Sequence, residues 1–486
     1  MSRDTRPHSL SDVARAGFRD LTLARESLGS LADEVSLSAD QLLDAFALAA
    51  DPDSALARVR ELATVHPECV ANLHAVQWRR LALLCGSSPA FASFFVRHPG
   101  PLRNLLQGDG SLVGEQEART ALLEAVDADA RDTLPIATLT GAAGAAAMRV
   151  RYRELLAEVM LYALSRGVFT HAELAFDDVA RSLSFLADAA LEAGLAVARG
   201  TVLAESAGVP VTREELALVR FSVITMGKCG ALELNVVSDV DVMFLAEPAD
   251  AEGDLDRAQR LGTRLATELM RAIHEPALEP PLWQVDPNLR PEGRNGALVR
   301  SLTSMMTYYE RWAKTWEFQA LLKARAAAGD LDLGAAFVAQ TRPLVWASSG
   351  RDDFVGSVQR MRERVTEHLD SNDQEYELKL GPGGLRDIEF SVQLLQLVHG
   401  LYDESLHAAG TLPALSALVD GGYIARADGD RLATHYRRLR VLEHRLQLRD
   451  LRRTALMPRD GEQLRVLARS SRLAPNAEAL VELWRK

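Results

Sequence analysis

Asp239 and Asp241 stand two residues apart in Ser238-Asp239-Val240-Asp241, immediately before the apolar run at residues 242–245. A strand sends alternate side chains to one face, so this spacing projects both carboxylates together. Two such charges repel unless a cation lies between them, and hard oxygen donors suit Mg²⁺ shared with substrate phosphates. Upstream, apolar residues 221–226 read as a short buried strand running into Gly227-Lys228-Cys229-Gly230. A glycine turn at that point lets backbone N–H groups approach a phosphate. Trp283-Gln284-Val285-Asp286 alternates like another short strand and supplies a third carboxylate, Asp286. The turn-rich residues 287–296 follow, carrying Arg290 and Arg294. An arginine beside a metal-held phosphate stabilises charge that develops during transfer. Together these parts point to metal-dependent phosphoryl or nucleotidyl transfer.

Each residue also has a plainer role open to it. Asp-x-Asp pairs commonly sit exposed at strand starts, and only the ordered glycine turn, serine and Asp286 outweigh that reading here. Lys228 either contacts phosphate or lies solvated beside the turn. Ser238 either donates to a phosphate or caps the local turn. Cys229 reads as packing, because nothing near it in sequence would lower its pKa. Tyr308, Tyr309, Trp312 and Trp316 share a helical face, which favours core packing over base stacking. Glu317, Lys323 and Arg325 either reach the site or pair with one another along a helix. Arg386, Asp387 and Glu389 follow Gly381-Pro382-Gly383-Gly384 and either open a helix whose backbone donors suit an anion or form a structural ion pair.

The block Gly227-Lys228-x-Gly230-x-x-Glu233-Leu234-Asn235-x-x-Ser238-Asp239-x-Asp241, with residues 286–296, resembles the nucleotidyltransferase domain of bifunctional glutamine synthetase adenylyltransferase/adenylyl-removing enzymes. The glycine turn with Ser-Asp-x-Asp is shared with DNA-polymerase-β-like nucleotidyltransferases at large, whereas Glu233-Leu234-Asn235 is narrower. Residues 308–325 and 380–390 are similar to two further blocks of the same family. The resemblance spans most of the chain from about residue 60. It implies a two-half enzyme in which the amino-terminal half removes AMP from a tyrosine of glutamine synthetase, using phosphate and releasing ADP. The carboxy-terminal half attaches AMP from ATP. Asn235 and the single cassette after some 220 residues fit the amino-terminal half, so the chain is expected to be a detached or truncated amino-terminal half. By resemblance, Asp239, Asp241 and Asp286 hold Mg²⁺ and Arg290 is catalytic with them. Gly227, Lys228, Ser238, Lys323 and Arg325 contact nucleotide or phosphate. The family pattern usually has arginine where Asn288 stands. Implied partners are glutamine synthetase, ATP or ADP, phosphate and a PII signalling protein. The alternatives are the adenylylating half, a catalytically silent PII-binding module, and a nucleotidyltransferase acting on RNA or a small molecule.

Those motifs need rigid elements to hold them. The 486 residues exceed one ordinary core, and a 48% hydrophobic, 25% charged composition is that of a folded globular chain. A net charge of −12 argues against non-specific nucleic-acid binding. Three scattered cysteines form neither a disulfide framework nor a zinc site, and no apolar run spans a bilayer. With a charged amino terminus, the expected location is a reducing cytoplasm. The expected fold is α+β and predominantly helical: a nucleotidyltransferase domain with a small mixed sheet, flanked by helical domains. The expected divisions are an amino-terminal helical region at 1–150, the catalytic domain with leading helices at 151–302, and a helical bundle at 303–486. Residues 141–147 read as a helix start or a flexible link, and two long helices follow up to Ala204. Leu261, Leu265, Leu269 and Ile273 mark another helix between the second and third strands. After Leu302 the pattern is helical throughout, with a break near residues 381–384.

Overall fold

The computed structural model describes residues 9–108, 110–205, 211–351, 354, 356, 360 and 372–485. The charged residues 1–8 lie outside that set. The architecture is α+β and mostly helical around a small mixed sheet. Its strands are β1 (Val219–Thr225), β2 (Val240–Pro248), β3 (Val285–Asp286), β4 (Val299–Arg300) and β5 (Arg325–Gly329). The order is β3-β2-β1-β5, with β4 also pairing β2. β1 runs antiparallel to both β2 and β5, whereas β3 and β4 run parallel to β2.

The period-2 pattern of β1 and β2 is used on both faces. Phe221, Val223, Val242 and Phe244 enter one core, while Ile224, Met243 and Leu245 enter another on the opposite side. A sheet buried on both faces requires continuous apolar strands, which is what the sequence shows there. On the first face lie the helices Phe176–Ala204 and Leu255–His274. The second of these buries Leu261, Leu265, Leu269 and Ile273, and Asp254 caps it by accepting from the Arg257 N–H at 2.9 Å. On the second face lie helices Leu302–Arg311 and Leu331–Ala347. Residues 141–147 begin the Gly141–Phe169 helix, and Phe176–Ala204 is the second long helix. The first core runs without interruption from Val13 through the amino-terminal helices to Ala328, and Leu448 joins it.

Two expectations are corrected. The chain after Leu302 is not helical throughout, because residues 325–329 form the edge strand β5. Its Arg-Ala-Ala-Ala-Gly sequence favours a helix locally, but pairing with β1 overrides that propensity. The aromatic group does not share one buried face either. Tyr309 is 1% exposed, but Trp312 is 63% exposed because the Leu302–Arg311 helix ends just before it. All three cysteines are free and buried. Burial pushes the Cys85 thiol up to about 12, and burial with the nearby Asp188 charge raises that of Cys229 well above the ordinary thiol value. No described helix is long and apolar enough to cross a membrane.

Candidate functional site

β1 delivers the chain to the Gly227–Gly230 turn, which doubles back so that the Met226 N–H donates to the Asp241 carbonyl at 2.9 Å. Gly227 takes φ +54, and a Cβ there would meet Asp241 Oδ2 at 2.7 Å. Only glycine lets the turn pass this close to the carboxylate. Parallel pairing sets Asp241 on β2 directly against Asp286 on β3. Asp239 lies one residue ahead of β2, outside the strand, with half-buried Ser238 before it. Burial first, then the charges of Asp286 and Asp239, push the Asp241 carboxyl up to about 6. Lys379 and Arg386 act against that rise. Asp239 is ion-paired with Arg453, and Asp286 accepts the Asn288 N–H at 2.8 Å.

The remaining expected residues divide between this cluster and its supports. Arg290 spends its donors on its own loop, bonding the carbonyls of Pro287 at 2.8 Å and Gly296 at 3.1 Å. Lys228 is neither solvated nor free: it pairs with Glu389 at 3.0 Å, nearly buried. Burial pushes its ammonium down to about 8. Burial alone would raise Glu389, but Lys228, Lys323, Arg386 and Arg440 hold its carboxyl well below the usual carboxylate range. Lys323 donates to Glu233 and to the Thr411 hydroxyl, both at 3.3 Å. Arg325 pairs with Asp188 at 2.7 Å and donates to the Cys229 and Gly230 carbonyls. Glu317 accepts from the Tyr308 hydroxyl at 3.1 Å, so Glu317, Lys323 and Arg325 do not pair with one another.

Among the described residues, no group of three or more His, Cys, Asp and Glu side chains is drawn close enough to hold a metal ion. The donor chemistry nevertheless fits a hard divalent cation. Asp241 and Asp286 pair in register, and burial first, with the neighbouring carboxylate charges added, disfavours a bare Asp241 carboxylate that a bound cation would stabilise.

A family model for glutamate-ammonia ligase adenylyltransferase matches residues 78–340, the stretch holding the turn and all three aspartates. The chain belongs to this family. A second family model, GlnD PII-uridylyltransferase, matches residues 356–486. Similar proteins include one from Leifsonia xyli subsp. xyli, 47% identical over 98% of this chain, and one from Streptomyces coelicolor, 43% identical over 100% of this chain. A third, from Mycobacterium avium, is 43% identical over 96% of the chain. All three are named bifunctional glutamine synthetase adenylyltransferase/adenylyl-removing enzyme. The chain spans about half the length of these curated relatives, 47%, 47% and 44% in turn.

For an adenylyltransferase-family member, the distinctive Glu233-Leu234-Asn235 segment turns out to be an anchor. Glu233 accepts from the Thr411 N–H and hydroxyl, and Asn235 Oδ1 accepts from Arg440 Nη2 at 2.5 Å. Arg440 is wholly buried and also bonds the Glu233 carbonyl at 2.7 Å. The motif thus fastens the chain after the Gly227–Gly230 turn to the helix Arg426–Asp450. Sequence reasoning missed Arg453, Lys379 and Arg440, which reach the site from 140 to 214 residues downstream of Asp239. Only Arg386, beside the Gly-rich turn at 381–384, carried a local signal.

Proposed function

We propose that this chain is the adenylyl-removing half of a bifunctional enzyme and restores glutamine synthetase by phosphorolysis of its adenylyl-tyrosine. The observation that carries the reading is the Asp241–Asp286 pair, set in register by β2 and β3 beside the Gly227 turn. Asp239, Asp241 and Asp286 would hold divalent metal, Mg²⁺ being the ion that suits their oxygens. When bound, that metal supplies electrostatic stabilisation of charge on the transferred phosphoryl group. The backbone at Gly227, together with Ser238, borders the nucleotide phosphate. Lys228, Lys323 and Arg325 act one layer out, by locking the turn to its neighbours. Arg290 acts in the same indirect way, shaping the loop after Asp286. Inorganic phosphate attacks the α-phosphorus in line, the bond to the tyrosine oxygen breaks, that oxygen takes a proton, and ADP departs. Positioning and preorganised charge can together supply roughly ten kcal/mol of barrier reduction without a covalent intermediate. The match of residues 356–486 to a PII-uridylyltransferase model supports a regulatory contact with PII in the carboxy-terminal part.

The test mixes the purified chain with adenylylated glutamine synthetase and Mg²⁺, with and without phosphate, following AMP by intact-protein mass. Phosphate-dependent loss of AMP with ADP formed, absent in Asp239→Asn, is the expected result. AMP gain from ATP on unmodified glutamine synthetase would reverse the assignment to the adenylylating direction.

A further inference from the structure

Away from the carboxylate pair, the end of the Arg426–Asp450 helix and the loop after it border a cavity of about 1000 Å³. Its wall carries Arg445, Arg449, Arg452, Arg453 and Arg459 against Asp373, Asp450 and Asp460, an excess of positive charge in a chain of net charge −12. Three of these have carboxylate partners: Arg459 meets Asp373 at 2.8 Å, Arg452 meets Asp450 at 3.5 Å, and Arg453 meets Asp239. Among the described residues, Arg445 and Arg449 have none. Arg445 is 4% exposed; its Nε and Nη2 donate to the Ser470 and Ala163 carbonyls, and Nη1 has no described acceptor. Burial alone pushes its guanidinium down to about 10, with no opposing charge to restore it.

Two hydroxyls on the same wall add an independent observation. Ser87 Oγ and Ser470 Oγ are buried, and neither has a hydrogen-bond partner among the described residues. Buried polar groups are rarely left so, because the unmade bond costs free energy. Two uncompensated guanidiniums and two idle hydroxyls around one cavity form the donor set of an oxyanion. We propose that this cavity binds a phosphate group, either free or at the end of a nucleotide. The site lies one side chain from Asp239, through Arg453, yet uses none of the three aspartates. It does not rest on the direction of the reaction at the carboxylates.

The experiment is a calorimetric titration of the full chain in EDTA, with inorganic phosphate and separately with ADP. Arg449 is half-buried and Ser470→Ala removes an unsatisfied hydroxyl, so the pair Arg449→Gln and Ser470→Ala leaves the fold standing. Binding is expected in the parent, weakened by about tenfold or more in that double variant and unchanged in Asp286→Asn. Tighter binding of ADP than of phosphate assigns the nucleotide as the source, and the reverse order assigns free phosphate. Absence of binding by both anions, or parental affinity in the double variant, overturns the proposal.

Discussion

Asp241 carries the pH behaviour of the site. Its carboxyl titrates near 3.8 in the unfolded chain and about 6 in the folded, metal-free one. Between those values the native state binds more protons, so the group's contribution to stability falls as pH rises through that window. Asp241→Asn removes this burden. The metal-free variant should therefore melt higher than the parent at pH 7, with the difference shrinking toward pH 4, while activity is lost. Thermal melts in EDTA check this, and an unchanged or lower melting point at pH 7 would contradict it. Mg²⁺ should raise the melting temperature of the parent and leave that of Asp241→Asn where it was. Lys228 poses the opposite case, a buried charge paired with a buried carboxylate. Lys228→Met removes the only ion-pair partner within 4 Å of Glu389 among the described residues, although Lys323, Arg386 and Arg440 still act on it, and should cost about 3 kcal/mol in urea denaturation. A loss below about 1 kcal/mol, the value of an exposed pair, would show that the contact is solvated.

At the scale of elements, the Gly227–Gly230 turn is where close approach is enforced. Gly227→Ala brings a Cβ against Asp241 in a left-handed conformation, for about 1–2 kcal/mol. Gly230→Ala is worse, since its Cβ would meet the Lys323 carbonyl oxygen at 1.9 Å and backbone there cannot swing aside. Its expected cost is about 3 kcal/mol. Equal unfolding midpoints for the two variants would refute this ranking. The turn, β1, β2 and the Leu255–His274 helix were all legible from residue patterns, because each depends on neighbours close in sequence. Asp239, Asp241 and Asp286 stood out as candidates for the same reason, although only strand pairing sets Asp286 against Asp241. β5 was not, since its alanines read as helix until β1 pairs with them. Arg453 and Arg440 carry no local signature: only folding brings them to Asp239 and Asn235. Lys228 and Arg290 were legible as residues near the site, but their partners, Glu389 and the Pro287 and Gly296 carbonyls, depend on tertiary or loop geometry.

Over the whole molecule, the carboxy-terminal helices are structural partners of the Gly227–Gly230 turn. Glu389, Thr411 and Arg440 all lie beyond residue 340, yet they hold Lys228, Glu233 and Asn235. A fragment limited to residues 78–340 keeps Asp239, Asp241 and Asp286 and loses those three ties. It should fail to show a cooperative calorimetric transition, whereas the full chain shows one. A sharp transition in the fragment at the parent's temperature would mean that the turn stands alone. The cysteines provide a way to watch such loosening in time. Cys85 and Cys229 are sealed thiols with raised pKa values, one among the amino-terminal helices and one inside the catalytic turn. Neither reacts with an alkylating reagent until its own surroundings open, so the rate of modification at each becomes a clock for that opening. Two thiols modified at one common rate would reveal a molecule that breathes as a unit; a faster Cys229 would reveal a catalytic turn that comes loose while the amino-terminal helices stay closed.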